Sequence, residues 1–110
     1  MKLKKGYYMQ PEKILKECNS IIKQRAKEYG SAKESFSLIA QYWMSYLNRN
    51  ITIEDVSMMM VLMKIARTRT DKKKDSYVDA INYIAFGGSF ALEKDKMEKE
   101  LEDVMQYFEE

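Results

Sequence analysis

Histidine is missing altogether from this chain of 110 residues. Its absence excludes Ser-His-Asp and Cys-His catalysis and every histidine-ligated metal site. Any metal bound here must be a hard ion held by oxygen, Mg²⁺ or Mn²⁺. Cysteine occurs once, at Cys18. No intramolecular disulfide can form, and the thiol reads as a small buried hydrophobe. A long apolar run is also lacking. The longest one is broken by Lys64 and is too short to span a bilayer. The opening Met1-Lys2-Leu3-Lys4-Lys5-Gly6-Tyr7-Tyr8 is charged with no apolar stretch behind it, unlike a signal peptide. These absences predict a protein of the reducing cytoplasm with no membrane partner.

What is present is an ordinary globular balance, 45% hydrophobic and 33% charged, suited to one domain over residues 1–110. A chain this short buries one core, and a sizeable ligand pocket forms more easily between subunits than within one. The formal charge of +2 is unevenly spread. Residues 90–110 hold eight acids against three lysines, a net of −5, which leaves +7 on the remainder. A basic body with an acidic last helix suits an anionic ligand, and it suits packing between copies of the chain.

Proline and glycine mark the expected joints. Pro11 is a good first helical residue. Ile14, Leu15, Cys18, Ile21 and Ile22 follow at helical spacing, and Gly30 lies past the expected C-terminus near Tyr29. Ser31 and Glu34 have capping-box spacing before a second helix, from about Ala32 to Leu47. Its apolar face is Phe36, Ile39, Ala40, Trp43, Met44 and Leu47. Thr52 is a good N-cap, with Glu54 and Asp55 in the first turn of a third helix. That helix is apolar nearly all round, which predicts a central position. Thr68 to Lys74 read as a hydrophilic loop, and either Asp75 or Ser76 caps a fourth helix running to Phe86. Gly87 and Gly88 are expected to break it. A fifth helix then carries Phe90, Met97, Leu101, Val104, Met105 and Phe108 on one stripe that approximates a heptad. The predicted fold is all-α: a compact four-helix bundle-like core over 11–88, plus a C-terminal amphipathic acidic helix over 89–110, in an oligomeric protein. Nine methionines, three of them consecutive at Met58, Met59 and Met60, fill the core or supply adaptable surfaces.

Four polar groupings stand out as candidate chemistry. Lys27, Glu28, Tyr29 and Gly30 close the first helix, and Glu34 opens the second. Lys64 and Arg67, three apart, share a helix face and can hold one anion together. Asp75, Asp79 and Asn82, spaced by four and three, line one face of the fourth helix. Such a carboxylate pair can hold a divalent metal or anchor a lysine and an arginine. The plainer alternatives are that Asp75 caps a helix, that Asp79 pairs with Lys64 or Arg67 to fix packing, and that Glu34 serves only a capping box. The run Arg67 to Lys74 is basic, but such runs are more often solvated loops than nucleic-acid contacts. Tyr42 and Tyr46, four apart beside an apolar face, can stack on a base.

Several of these blocks carry a family resemblance. Arg25-Ala26-Lys27-Glu28-Tyr29-Gly30, then Phe36, Ile39-Ala40 and Trp43, resemble a family of small uncharacterised phage and prophage proteins. So do Asp55-Val56 through Met60, Lys64-Ile65-Ala66-Arg67 and Asp75 through Tyr83, and the likeness covers roughly residues 14–88. The Tyr-Gly, Lys-x-x-Arg and Asp-x-x-x-Asp-x-x-Asn-Tyr blocks also resemble the nucleotide-modification-associated domain of phage genomes. Both groups look similar to MazG-like all-α nucleoside triphosphate pyrophosphatases. That resemblance implies Mg²⁺ held by acids on two neighbouring helices, here Glu34 with Asp75 and Asp79. The matching Glu-x-x-Glu pair is incomplete, because Ser37 stands three residues after Glu34. The leading expectation is therefore a phage-type binder of a nucleotide or nucleotide-derived ligand without efficient catalysis. One version is a sponge for a host defence signal. In it Lys64 and Arg67 hold phosphate, and Asp75, Asp79, Asn82 and Tyr29 orient them or read sugar and base. The alternatives are a Mg²⁺-dependent pyrophosphohydrolase and a protein-binding inhibitor of a host factor.

Overall fold

The computed structural model describes residues 8–29 and 31–109, the side chains of Glu28 and Tyr29 excepted. Among the described residues the elements are four helices: α1 (Pro11–Tyr29), α2 (Ala32–Leu47), α3 (Ile53–Thr70) and α4 (Lys74–Glu109). The first three start where their sequence signals place them. Pro11 opens α1, and Ser31 Oγ accepts a hydrogen bond from the Glu34 N–H to open α2. At α3 the capping box is complete and reciprocal. Thr52 Oγ1 accepts from the Asp55 N–H at 3.0 Å, and the Thr52 N–H donates back to Asp55 Oδ2 at 2.9 Å. Between α2 and α3, Asn48 takes a left-handed conformation (φ 53°) that asparagine tolerates better than most residues.

Two expected boundaries move. α3 does not stop before Thr68. Thr68 Oγ1 donates to the Ile65 carbonyl at 2.6 Å and Thr70 Oγ1 to the Arg67 carbonyl at 3.2 Å. The two threonines thereby bond back onto the helix, which runs on to Thr70 and shortens the loop to residues 71–73. The helix after it begins at Lys74, so Asp75 and Ser76 lie inside its first turn instead of capping it.

The larger correction concerns Gly87 and Gly88. They do not break the chain: α4 is one helix of 36 residues. At about 1.5 Å per residue it is about 54 Å long. The reason for glycine at 87 is proximity. A Cβ there would sit 3.1 Å from the Cβ of Ser57, which is fully buried on α3. The missing side chain lets α3 and α4, the most extensively packed pair, approach closely. Around Gly88 nothing lies within 4 Å of such an atom.

α3 packs on both α2 and α4, and α1 packs on α4. The core gathers Phe36 and Ala40 of α2, Val56 of α3 and Phe90 of α4. Phe36 is its hub, with ring centroids 6.0 Å from Tyr83, 5.9 Å from Phe86 and 5.8 Å from Phe90. The last two contacts are edge-to-face, the arrangement that aromatic quadrupoles favour. Cys18 is buried as expected. Its thiol donates to the Val78 carbonyl at 3.6 Å, and burial pushes its pKa up, so it is held as the neutral thiol.

Residues 92–109 project from the core as a continuation of α4 and not as a separate helix. The molecule measures 73 × 34 × 28 Å, because beyond Ala91 every described residue of α4 is exposed. Nor is α3 enclosed by its neighbours. Met58, Met59, Leu62, Met63 and Ile65 are all at least 40% exposed. Among the described residues no helix is long and apolar enough to cross a membrane.

The two glycines should respond in opposite directions to substitution. Gly88→Ala removes backbone freedom from the unfolded chain at no steric cost and should stabilise by about 0.5–1 kcal/mol. Gly87→Leu must displace Ser57 from a fully buried contact and should destabilise by about 1–3 kcal/mol. Chemical denaturation of the two variants beside the parent checks both signs.

Candidate functional site

The polar residues of α3 and α4 come together in part. Lys64 Nζ lies 2.9 Å from Asp79 Oδ2, with the two side chains only 12% and 19% exposed. Of the two partners open to Asp79, α3 supplies Lys64. An ion pair this sheltered contributes more than a surface pair, while desolvation of both groups offsets much of the gain. Arg67, one turn further along α3, is exposed and makes no ion pair among the described residues. Asp75 is exposed and Asn82 buried, so the face of three runs from solvent into the interior. Asn82 Oδ1 and, on α3, Ser57 Oγ are buried without a hydrogen-bond partner among the described residues. Lys74 anchors the start of α4 to α1 through Glu17 at 2.9 Å, and that hydrogen bond holds the Lys74 pKa above its ordinary value.

The carboxylates expected at a metal do not assemble. Among the described residues no three Asp, Glu, Cys or His side chains lie close enough to hold an ion. Glu34 faces out from α2 beside Lys33, Ser37, Leu38 and Gln41. Asp79 is already bound to a lysine. The set Glu34, Asp75 and Asp79 therefore does not fit Mg²⁺, which needs oxygen ligands converging at about 2.1 Å. The side chain of Tyr29, and Gly30 beside it, lie outside the described residues. Tyr42 and Tyr46 are 66% and 89% exposed on α2.

A more enclosed cavity lies elsewhere, at the seam of all four helices. Its volume is about 330 Å³. Ile22, Arg25 and Ala26 of α1 form one wall, Ala32, Ser35, Phe36 and Ile39 of α2 another, and Met60, Tyr83 and Phe86 close it from α3 and α4. Phe36 is buried, whereas Arg25, Ser31 and Ser35 are exposed. The cavity is thus aromatic and apolar at its floor and cationic and hydroxylic at its mouth. The first turn of α2 opens on that mouth, and Ser31 is its N-cap. The partial positive charge of a helix N-terminus adds to the Arg25 guanidinium there. Sequence reasoning missed this site because it follows helix faces one at a time. Arg25 stood in the stretch that carried the resemblance, but nothing in the spacing joins it to Ser35 or Tyr83.

A second, larger concavity of about 700 Å³ opens between the start of α3 and the projecting half of α4. Ile53, Phe90, Met97, Leu101 and Val104 give it an apolar floor, with Lys33, Glu54, Lys94 and Glu98 at its rim.

A protein-family model described as Domain of unknown function (DUF6378) matches residues 13–91. The Gene 55 protein of Mycobacterium phage D29 is 40% identical over 74 residues, which is 66% of this chain and 49% of that protein. The Gene 55 protein of Mycobacterium phage L5 is 44% identical over 62 residues, 54% of this chain and 40% of that protein. The chain thus spans at most about half the length of these curated relatives. No solved structure matches. The matched region holds both the Lys64–Asp79 pair and every residue lining the four-helix cavity.

If Lys64 and Asp79 serve packing, the pair should show a coupling signature. Lys64→Met leaves a sheltered carboxylate without its cation and should cost about 1–3 kcal/mol. Adding Asp79→Leu should recover most of that loss. A double-mutant cycle by urea unfolding measures it, and additive losses in the two single variants would show that the ions do not act together.

Proposed function

We propose that this chain, which belongs to the family described as Domain of unknown function (DUF6378), is a phage-type protein that binds a nucleotide or nucleotide-derived ligand. The observation that supports the reading is the chemistry of the four-helix cavity. Its volume of about 330 Å³ falls at the lower end of the range for small-molecule sites. A planar base would lie among Phe36, Tyr83 and Phe86, where a π face gains from aromatic neighbours. Phosphate would meet the Arg25 guanidinium, the hydroxyls of Ser31 and Ser35, and the N-terminal turn of α2. Tyr83 carries a hydroxyl able to donate to or accept from a base edge.

This reading moves the phosphate away from Lys64 and Arg67. Lys64 is bound to Asp79 in a sheltered pair, so recruiting it would leave that carboxylate unpaired. The phage relatives, Gene 55 proteins of two mycobacteriophages, support a phage context. In that context a binder without turnover acts by sequestering its ligand.

Thermal melting against a panel of nucleotides and cyclic nucleotides tests the site. A ligand at a hundred times its Kd should stabilise the folded chain by about 2.7 kcal/mol, read as a rise in Tm. Arg25→Ala should weaken binding by roughly 10- to 100-fold, the worth of a charge-assisted hydrogen bond, with little change in the Tm of the free protein. Arg67→Ala should leave binding intact. A panel that yields no shift sinks the proposal, and loss of binding in Arg67→Ala with retention in Arg25→Ala would return the site to α3 and α4.

A further inference from the structure

The projecting half of α4 is the largest unpartnered feature of the molecule. Leu92, Met97, Leu101, Val104, Met105, Tyr107 and Phe108 are each more than half exposed. Their placement is ordered. Phe90, Met97, Leu101, Val104 and Phe108 are separated by seven, four, three and four residues, the alternation of the two seam positions in a heptad. The one interruption is Lys94, at the seam position between Phe90 and Met97. The stripe begins inside the core at Phe90 and continues as the floor of the 700 Å³ groove. An isolated helix gains little from propensity alone and normally relies on burial of its apolar face. Here the burial is missing.

We propose that this stripe pairs with the same stripe of a second copy of the chain, antiparallel, so that the α4 tail of each copy lies in the groove of the other. The charge pattern names the partner and its direction. Residues 93–99 hold three acids and three lysines, whereas residues 100–110 hold five acids and no base. A parallel pair would set the two acidic ends side by side, ten carboxylates with no cation between them. An antiparallel pair sets each acidic end against the Lys94, Lys96 and Lys99 stretch of its partner. Within one chain those lysines lean on Glu98, Glu100 and Asp95 through exposed pairs of 3.9, 4.0 and 3.1 Å. Such pairs hold weakly and leave the ammonium groups open to a further carboxylate. The interruption at Lys94 fits as well: a cation at a seam position selects orientation at some cost in stability, when the facing segment is acidic.

Sedimentation and spin-label distances test the pairing. The parent should sediment as a dimer at micromolar concentration. Leu101→Asp with Val104→Asp should sediment as a monomer that keeps the helical circular dichroism of the core and loses at most that of the projecting tail, since both residues are exposed in the single chain. A nitroxide on Ser89→Cys, with Cys18→Ala to leave one thiol, reads the direction. Antiparallel tails place the two labels about 30 Å or more apart, given about 1.5 Å of rise per residue. A monomeric parent, a dimer that survives the double substitution, or labels within about 15 Å of each other would each overturn the proposal.

Discussion

The ring of Phe36 is the contact on which the architecture depends. It is where α2 meets α4 in the core, and it touches Tyr83, Phe86 and Phe90 on two successive turns of that helix. Phe86 and Phe90 in turn stack on one another at 6.2 Å. A small chain has few fully buried side chains with which to hold its helices. Here the completely enclosed ones are as modest as Val56, Val78 and Ser57, so an aromatic cluster supplies a large share of the buried area. Three of these rings, Phe36, Tyr83 and Phe86, form the floor of the four-helix cavity. Structure and candidate site therefore draw on shared side chains.

Backbone proximity is the second constraint. α3 and α4 come together at Ser57 and Gly87 and again at Lys64 and Asp79, one end neutral and the other ionic. The neutral end works by omission of a side chain and the ionic end by attraction. Between them sits Asn82, buried with an unsatisfied carbonyl oxygen. A polar atom in that position costs stability unless something outside the chain meets it.

Local signals in the sequence agree with the structure where they rest on neighbours. The Ser31 and Thr52 caps, the start at Pro11, the extent of α2 and the burial of Cys18 all follow from residues within a turn of one another. Gly87 and Gly88 misled for a physical reason. A glycine pair signals a break when the backbone needs freedom, and it also signals close approach when another helix lies across it. Only the position of Ser57, thirty residues away, decides between the two. Thr68 and Thr70 lie in a stretch that composition alone reads as loop, yet both belong to α3, with their hydroxyls donating back to helix carbonyls. The carboxylates Asp75 and Asp79 were placed on one face correctly, yet their distance from Glu34 is a tertiary fact that no spacing within a helix contains.

Because α4 is continuous, it acts as a lever. Its near end carries Tyr83 and Phe86, which line the cavity, and Phe90 is the fulcrum in the core. The arm from Phe90 to Phe108 is about 27 Å long at 1.5 Å per residue, so a tilt of about 5° at the fulcrum displaces its tip by about 2 Å. An occupant of the cavity that shifted Phe86 slightly would therefore be felt, enlarged, at the far end of the rod. If the cavity takes a ligand and the tail a second copy, the two would share one mechanical coordinate, and whatever free energy links them would act equally in both directions.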